Sequence, residues 1–209
     1  MISQRKRLRR FYHKGAVYFI STYTEDRYPY FNEPIFCELL SEQIMLGSTI
    51  KCYNIYAYVI LPEHIHLLIQ PEGEYNISNI IHSIKRNSSR YINHIIDNNP
   101  VREIYKSPLR VSENIMAEII EFEKHLRSLI IRFWDKYTTD GVLAMPRFQW
   151  HKSFHDHMLR DNEDIRDYYE YIINNPVKES LVDDPLDYKW IYIRESDDFR
   201  GRESDLDAR

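Results

Sequence analysis

Glycine is scarce in this chain, with five residues among 209, whereas tyrosine occurs 17 times. So few glycines exclude a glycine-rich repeat, and an aromatic content of 14% argues against a disordered chain. No apolar run approaches the ~20 residues that a membrane-spanning helix needs. The 43% of hydrophobic residues are enough to bury one substantial core. The composition therefore predicts one soluble domain with elaborations.

Cysteine is nearly absent as well. Cys37 and Cys52 have neither CxxC spacing nor a disulfide-rich context, which is typical of proteins from a reducing compartment. Residues 1–14 are too polar for a secretory signal, because the apolar run at 16–20 is short. We therefore expect a cytoplasmic protein.

The chain also lacks a large excess of either positive or negative residues, since its net charge is only −4. The charges are unevenly placed, however: residues 1–14 carry six Lys and Arg and no acid, whereas residues 181–209 carry nine acids and five Lys and Arg. A basic N-terminal arm suits phosphate contacts, although short basic termini are also common as solubilising tails. For the acidic end at 196–209 we expect a solvated, disordered tail.

The apolar pattern predicts helices and strands that interleave without a parallel βαβ rhythm. Strands are expected at 16–24, 53–61 and 64–70, the last two joined at Pro62-Glu63, with an extended segment at 148–160. Helices are expected from Pro34 onwards, at 76–96, at 112–137 with Ser112 as N-cap, and at 162–174, where Asn175-Pro176 should stop the helix. This order predicts an α+β fold with an antiparallel sheet of four or five strands and helices mainly on one face.

Two pairs of closely spaced residues indicate which reaction the protein could catalyse. His64 and His66 stand at i and i+2 on a predicted strand, so their imidazoles share one face and form a bidentate metal platform. Tyr171 and Asn175 stand at i and i+4, so they share one face of a helix. A metal platform, a phenol nucleophile and an amide oxygen suit metal-assisted phosphodiester cleavage through a phosphotyrosine. Taken singly, an HxH pair is more often structural, and most tyrosines are packing residues.

Read together, four elements in a fixed order are far more specific than the histidine pair. The first is Leu-Pro-Glu-His-x-His at 61–66, and the last is Tyr-Ile-x-x-Asn-Pro-Val-Lys at 171–178. Between them come two elements formed by Trp150, Phe154 and His157 and by Arg160, Asn162 and Asp164. On these residues, over about 10–190, the chain resembles the REP-associated tyrosine transposases. That family belongs to the single-tyrosine HUH nucleases, alongside the transposases of insertion sequences that move as single strands.

The chain departs from the family pattern in three places. His151 stands where the family has Gln, and one residue more separates Arg160 from Asn162 than in some members. Residues 98–147, which include the predicted 112–137 helix, look like a helical insertion relative to compact members. We therefore expect one HUH-type transposase domain at 1–195 with an insertion at about 98–147.

The resemblance implies a ferredoxin-like central antiparallel sheet and a metal-dependent activity. It implies a single-stranded DNA endonuclease and strand transferase that forms a 5′-phosphotyrosine at hairpin-forming repeats. Carried over residue by residue, Tyr171 is the nucleophile and His64 and His66 are metal ligands. The side-chain oxygen of Asn175 is the third ligand, where related enzymes use Gln, and the cation is Mg²⁺ or Mn²⁺.

The expected partner is single-stranded or hairpin DNA. Binding to this DNA would hold the cytoplasmic protein on the nucleoid. A monomer is favoured over a homodimer. The predicted DNA contacts are Arg5, Arg7, Arg9, Arg10, Lys85, Arg86, Arg90 and Lys152. The predicted supporting residues are Glu63, Trp150, His157 and Lys178. Two alternatives stay open: a domesticated hairpin-binding protein without turnover, and a hydrolytic metallonuclease that uses water as nucleophile.

Overall fold

The structure is a computed structural model, which describes residues 12–13, 15–97, 113–140 and 145–194. The predicted basic contacts at positions 5–10, the Ser112 N-cap and the acidic tail lie outside the described residues. The elements are β1 Tyr18–Tyr23, α1 Pro34–Lys51, β2 Tyr53–Leu61, β3 His64–Pro71, α2 Ile77–Ile96, α3 Glu113–Asp140, β4 His155–Met158, α4 Ile165–Lys178 and β5 Ile191–Ile193. Short 3-10 turns lie between some of them. None of the described helices is long and apolar enough to cross a bilayer.

The five strands form one antiparallel sheet in the order β4-β1-β3-β2-β5. Apart from α3, which is added between α2 and β4, the element order β1-α1-β2-β3-α2-β4 with strand order β4-β1-β3-β2 is the ferredoxin-like arrangement. β5 extends this sheet beside β2. The predicted fold class is therefore confirmed. Pro62 and Glu63 make the tight turn between β2 and β3, as predicted.

Each face of the sheet has its own apolar layer, because side chains alternate along a strand. Ile65, Leu67 and Ile69 of β3 pack into the layer that contains α1, α2 and α3. Leu68 packs on the other face, in the layer to which α4 contributes Tyr169 and Ile172. By the same alternation, the even-numbered histidines of β3 point toward α4.

The apolar stripe of α3 enlarges the core rather than remaining free. Phe122, Leu126 and Phe133 are buried there, and the rings of Phe133 and Phe36 stack with centroids 5.5 Å apart. In the structure the stripe lies inside the chain's own core, against α1 and α2.

The predicted end of the last helix is wrong. α4 begins at Ile165, after the N-cap Asp164, and continues through Pro176 to Lys178. A proline within a helix removes one main-chain hydrogen bond and crowds the carbonyl four residues earlier, so it usually ends or bends the helix. The remaining bonds of that turn form, for example from Glu179 N–H to Asn175 O, and Pro176 is buried. Tertiary packing therefore overrides the local stop signal.

The extended segment at 148–160 is only partly a strand. Trp150 makes one isolated bridge with Thr24, and regular pairing with β1 begins at His155. The backbone between them leaves the ladder and turns toward α2, where Lys85 donates hydrogen bonds to the carbonyls of His151 and Ser153. The strand within this extended segment is therefore short, at His155–Met158.

Candidate active site

The two histidines of β3 lie together in the middle of the sheet, on the face covered by α4. Their ring centroids are 4.9 Å apart, with the ring planes at 85°. His64 is 5% exposed and His66 is 3% exposed, so neither ring is a surface side chain. The i, i+2 spacing thus gives the shared face that the sequence predicted.

Hydrogen bonds hold both imidazoles in defined orientations. The Nδ1 atom of His66 lies 2.7 Å from Ser21 Oγ on β1, and the Nδ1 atom of His64 lies 3.0 Å from a carboxylate oxygen of Glu63. Such partners fix which ring nitrogen can bind a metal. Nε2 is therefore the nitrogen that each ring can offer to a cation. The Nε2 atom of His66 is buried and has no hydrogen-bond partner among the described residues.

Both rings are kept neutral by their surroundings. Burial lowers the pKa of His66 to about 3, and the charges of His64 and Lys178 act in the same direction. Burial also lowers the pKa of His64, although the carboxylate of Glu63 opposes the shift. At neutral pH the imidazole lone pairs are consequently available, which metal binding requires.

Tyr171 brings its phenol ring from α4 onto this pair. Its ring centroid lies 5.2 Å from that of His66 and 5.5 Å from that of Phe19, in edge-on contacts. The side chain is still 41% exposed, so a substrate can reach it. The ammonium of Lys178 lies 5.3 Å from the centre of the same ring. Tyr169, two residues earlier, is buried in the core.

Asn175 lies one helical turn beyond Tyr171 and is only 2% exposed. Its Oδ1 atom is buried and lacks a hydrogen-bond partner among the described residues, as does Nε2 of His66. A buried acceptor without a partner costs about 1–3 kcal/mol, so a site with two of them favours an additional ligand. Two neutral nitrogens and one amide oxygen fit Mg²⁺ or Mn²⁺, with Mn²⁺ better suited to imidazole. In the described part of the chain, no group of three His, Cys, Asp or Glu side chains could hold a metal ion.

His157 belongs to a polar cluster at the edge of the same face. Its Nε2 atom lies 2.8 and 3.0 Å from the two carboxylate oxygens of Glu163, and its ring stacks on Tyr168. The main-chain N–H of Arg160 also donates to Glu163, and this bond is the largest cause of the lowered pKa of that carboxyl. Tyr168 is therefore engaged with His157 and Glu163 rather than with the histidine pair.

Sequence reasoning missed the partners Ser21 and Glu163, since a spacing pattern does not show which side chains face each other across strands. It also grouped Trp150 with the site. In the structure Trp150 is buried in the opposite layer, packs on Phe31 and donates from Nε1 to Ser88 Oγ. Its contribution is to the core that supports the sheet.

Several predicted DNA contacts meet in a groove of about 1350 Å³ between α2 and residues 147–156, here called the basic groove. Lys85, Arg86 and Lys152 line it, and so does Arg147, which the sequence analysis missed. The ammonium of Lys85 donates hydrogen bonds to the main-chain carbonyls of His151 and Ser153 at 2.6 and 2.9 Å, so it also holds the opposite wall of the groove in place. Arg90 is exposed on α2 but is not among the groove residues.

Comparison with known proteins finds similarity in both sequence and fold. Residues 13–108 match the family described as "Transposase IS200 like". A Haemophilus influenzae protein described as a REP-associated tyrosine transposase is 26% identical over 185 residues, which cover 87% of this chain and 82% of that protein. A solved structure of a REP-associated tyrosine transposase bound to a REP hairpin shares the fold, with a TM-score of 0.57 and 20% identity over 89% of this chain and 81% of that one. The predicted resemblance is therefore confirmed: the chain is similar to REP-associated tyrosine transposases, and its residues 13–108 match the IS200-like transposase family.

Proposed function

We propose that this protein is a metal-dependent single-stranded DNA endonuclease and strand transferase that acts at hairpin-forming repeats. The observation that carries the proposal is the contact of Tyr171 with His66, whose buried Nε2 atom has no partner in the part of the chain that the structure describes. A phenol and a metal-ready imidazole so close together supply a nucleophile and a cation ligand to one phosphate. The similarity to a transposase family supports the class of reaction.

The metal would be held by the Nε2 atoms of His64 and His66 and by Oδ1 of Asn175. When bound, a divalent cation polarises the scissile phosphate and offsets the charge that develops in the transition state. The protein's own contribution is preorganisation. Ser21 and Glu63 orient the two rings, and burial keeps both imidazoles neutral.

Tyr171 would attack the phosphorus through its phenolic oxygen. The new bond joins this oxygen to the 5′ phosphate while the bond from phosphorus to the 3′ oxygen breaks. The phenol loses its proton, and the departing 3′ oxygen takes up a proton to become a 3′-OH. Because one phosphodiester replaces another, the reverse attack by a 3′-OH can join strands. Tyr169 and Ile172, which are buried against the sheet, hold α4 so that Tyr171 stays at the histidines.

The ammonium of Lys178 lies on the accessible side of the same helix, 5.3 Å from the Tyr171 ring centre. A cation at this position attracts an anionic phosphate. Lys178 would therefore assist the approach of the substrate.

The deciding experiment is a trapping assay with a labelled pool of DNA hairpins that carry randomised stems and single-stranded flanks, in Mn²⁺ or Mg²⁺. A denaturation-resistant protein–DNA adduct that forms only with metal supports the proposal. Cleavage without an adduct would instead indicate a hydrolytic metallonuclease. Hairpin binding without any cleavage would indicate a binding protein that has lost turnover.

A further inference from the structure

We infer that Arg27, in the turn that follows β1, binds a phosphate of the unpaired DNA strand next to the scissile phosphate. This inference rests on the proposed function, because it takes the scissile phosphate to lie over His64 and His66. It adds a substrate contact at the end of the histidine pair that lies away from Tyr171.

The first reason is the position of Arg27 beside His64. The guanidinium carbon of Arg27 lies 4.3 Å from the centre of the Tyr23 ring, and that ring stacks on His64 with centroids 4.9 Å apart. One guanidinium nitrogen also lies 3.7 Å from a carboxylate oxygen of Glu63, the residue that orients His64. Two neighbours of His64 therefore fix the guanidinium relative to the proposed metal ligands.

The second reason is that this guanidinium can still take a ligand. The Arg27 side chain is 66% exposed, and its ion pair with Glu63, at 3.7 Å, is longer than a hydrogen bond. A planar guanidinium has five N–H donors, so it can keep these contacts and also donate to a phosphate. Arg27 thus combines a fixed position with an accessible charge.

The third reason is the backbone of the turn that carries Arg27. Asp26 and Arg27 have φ angles of 53° and 51°, in the left-handed region that residues other than glycine rarely adopt. The turn is tied down by the Thr24 hydroxyl, which lies 2.8 and 3.0 Å from the carbonyl oxygens of Tyr28 and Glu63. Backbone strain that the surrounding structure maintains is typical of functional sites. The side chain that this strained turn presents to the site is Arg27.

The fourth reason is the placement of positive charge along the histidine pair. The ammonium of Lys178 lies beside Tyr171, whose ring contacts His66. Arg27 lies at the other end, beside His64. The two histidines are two positions apart on β3, which is about 7 Å. An extended strand whose scissile phosphate lies over the histidines therefore brings a neighbouring phosphate toward Arg27, as in single-strand sites where cations follow the backbone.

The test counts the phosphate contacts that an unpaired strand makes. Arg27→Gln removes the cation and keeps a polar side chain, and Arg127→Gln removes an exposed cation from α3, which packs on the other face of the sheet. Each protein is titrated in Mg²⁺ at several salt concentrations with a labelled oligothymidylate of about five nucleotides, a length within the range of single-strand sites. Calorimetric Mn²⁺ titrations use the same preparations, and circular dichroism checks that both variants fold.

For Arg27→Gln, the slope of log affinity against log salt should become shallower by about 0.7, the value of one phosphate contact with a single strand. Arg127→Gln should keep the wild-type slope. The Mn²⁺ affinity of Arg27→Gln should be equal to or higher than that of wild type, because a positive charge near His64 has been removed.

A purely structural role of Arg27 predicts the reverse pattern. If Arg27 served only to hold Glu63 and His64 in place, Arg27→Gln would lose Mn²⁺ affinity and keep the wild-type slope, and this result would overturn the inference. An equal change of slope in Arg127→Gln, or a wild type that does not bind the oligothymidylate, would overturn it as well.

The proposed chemistry is measured separately, as adduct formation by wild type on the labelled hairpin pool. If Arg27→Gln shows the expected change of slope and wild type never forms an adduct, the proposed chemistry fails and the phosphate contact stands. If wild type forms the adduct and Arg27→Gln keeps the wild-type slope, the chemistry stands and the inference about Arg27 fails.

Discussion

The rings of His66 on β3 and Tyr171 on α4 meet edge-on, with centroids 5.2 Å apart, although 105 positions separate them in the chain. Phe19 stacks on His66 at 5.3 Å and contacts Tyr171 at 5.5 Å, so it keeps the two rings in place from the side of β1. This contact brings the strand of the proposed metal ligands against the helix of the proposed nucleophile.

Loss of either histidine should separate cleavage from binding. His64→Ala and His66→Ala should abolish metal-dependent cleavage while changing hairpin affinity little, because phosphate contacts far from β3 supply most of that affinity. His125→Ala, on α3, is the control and should cleave normally. Hairpin titrations and cleavage assays on the same folded preparations measure both quantities. Parallel losses of binding and cleavage would argue against a metal role for these residues.

Asn175 offers a test of the amide ligand that does not depend on activity. Leucine has a volume similar to that of asparagine, and Asn175→Leu removes a buried oxygen that has no partner in the described part of the chain. The metal-free variant should therefore be at least as stable as wild type. Its affinity for Mn²⁺, measured by electron paramagnetic resonance, should fall at least tenfold. The exposed neighbour Asn174→Leu should keep wild-type affinity. Unchanged Mn²⁺ binding by Asn175→Leu would remove this residue from the metal site.

Ser21 should act on the metal through His66. Ser21→Ala removes the hydroxyl that holds Nδ1, and loss of such an orienting partner typically lowers metal affinity by about 10–100-fold. The matched control is the next residue, Thr22→Val. It removes a buried hydroxyl that has no hydrogen-bond partner among the described residues and should leave Mn²⁺ affinity unchanged. Calorimetric Mn²⁺ titrations would decide. Equal effects from the two substitutions would point to a general disturbance of β1.

Much of the site could be predicted because it depends on local periodicity. A period of two fixes the shared face of His64 and His66, and a period of 3.6 fixes that of Tyr171 and Asn175. The pairing of Ser21 with His66 could not be predicted, because the register of β1 on β3 is set by the whole core. For the same reason the role of Arg147 could not be predicted, because the path of residues 147–154 is what places it opposite α2. Pro176 misled the prediction of the helix end, since packing of that turn outweighs one lost hydrogen bond.

Lys85 should matter for stability as well as for DNA. Its ammonium donates to the carbonyls of His151 and Ser153, which lie in the groove wall opposite α2. Lys85→Met should lower the free energy of unfolding by about 1–2 kcal/mol, because two carbonyls lose a charged donor. Arg86→Met, on the exposed side of the same turn, should change it by less than about 0.5 kcal/mol. Urea denaturation measures the free energy of unfolding of both variants. Equal values would contradict the role of Lys85 in holding the groove wall in place.

The most direct test of the account is the covalent adduct formed by tyrosine variants. Tyr171→Phe keeps the ring that packs on His66 and Phe19 and removes only the attacking oxygen. We predict that Tyr171→Phe binds Mn²⁺ and a labelled DNA hairpin like wild type but forms no denaturation-resistant adduct. Tyr168→Phe, whose hydroxyl bonds to Glu163 instead, should still form it. An adduct of wild-type yield from Tyr171→Phe would contradict the account, because the nucleophile would then lie elsewhere.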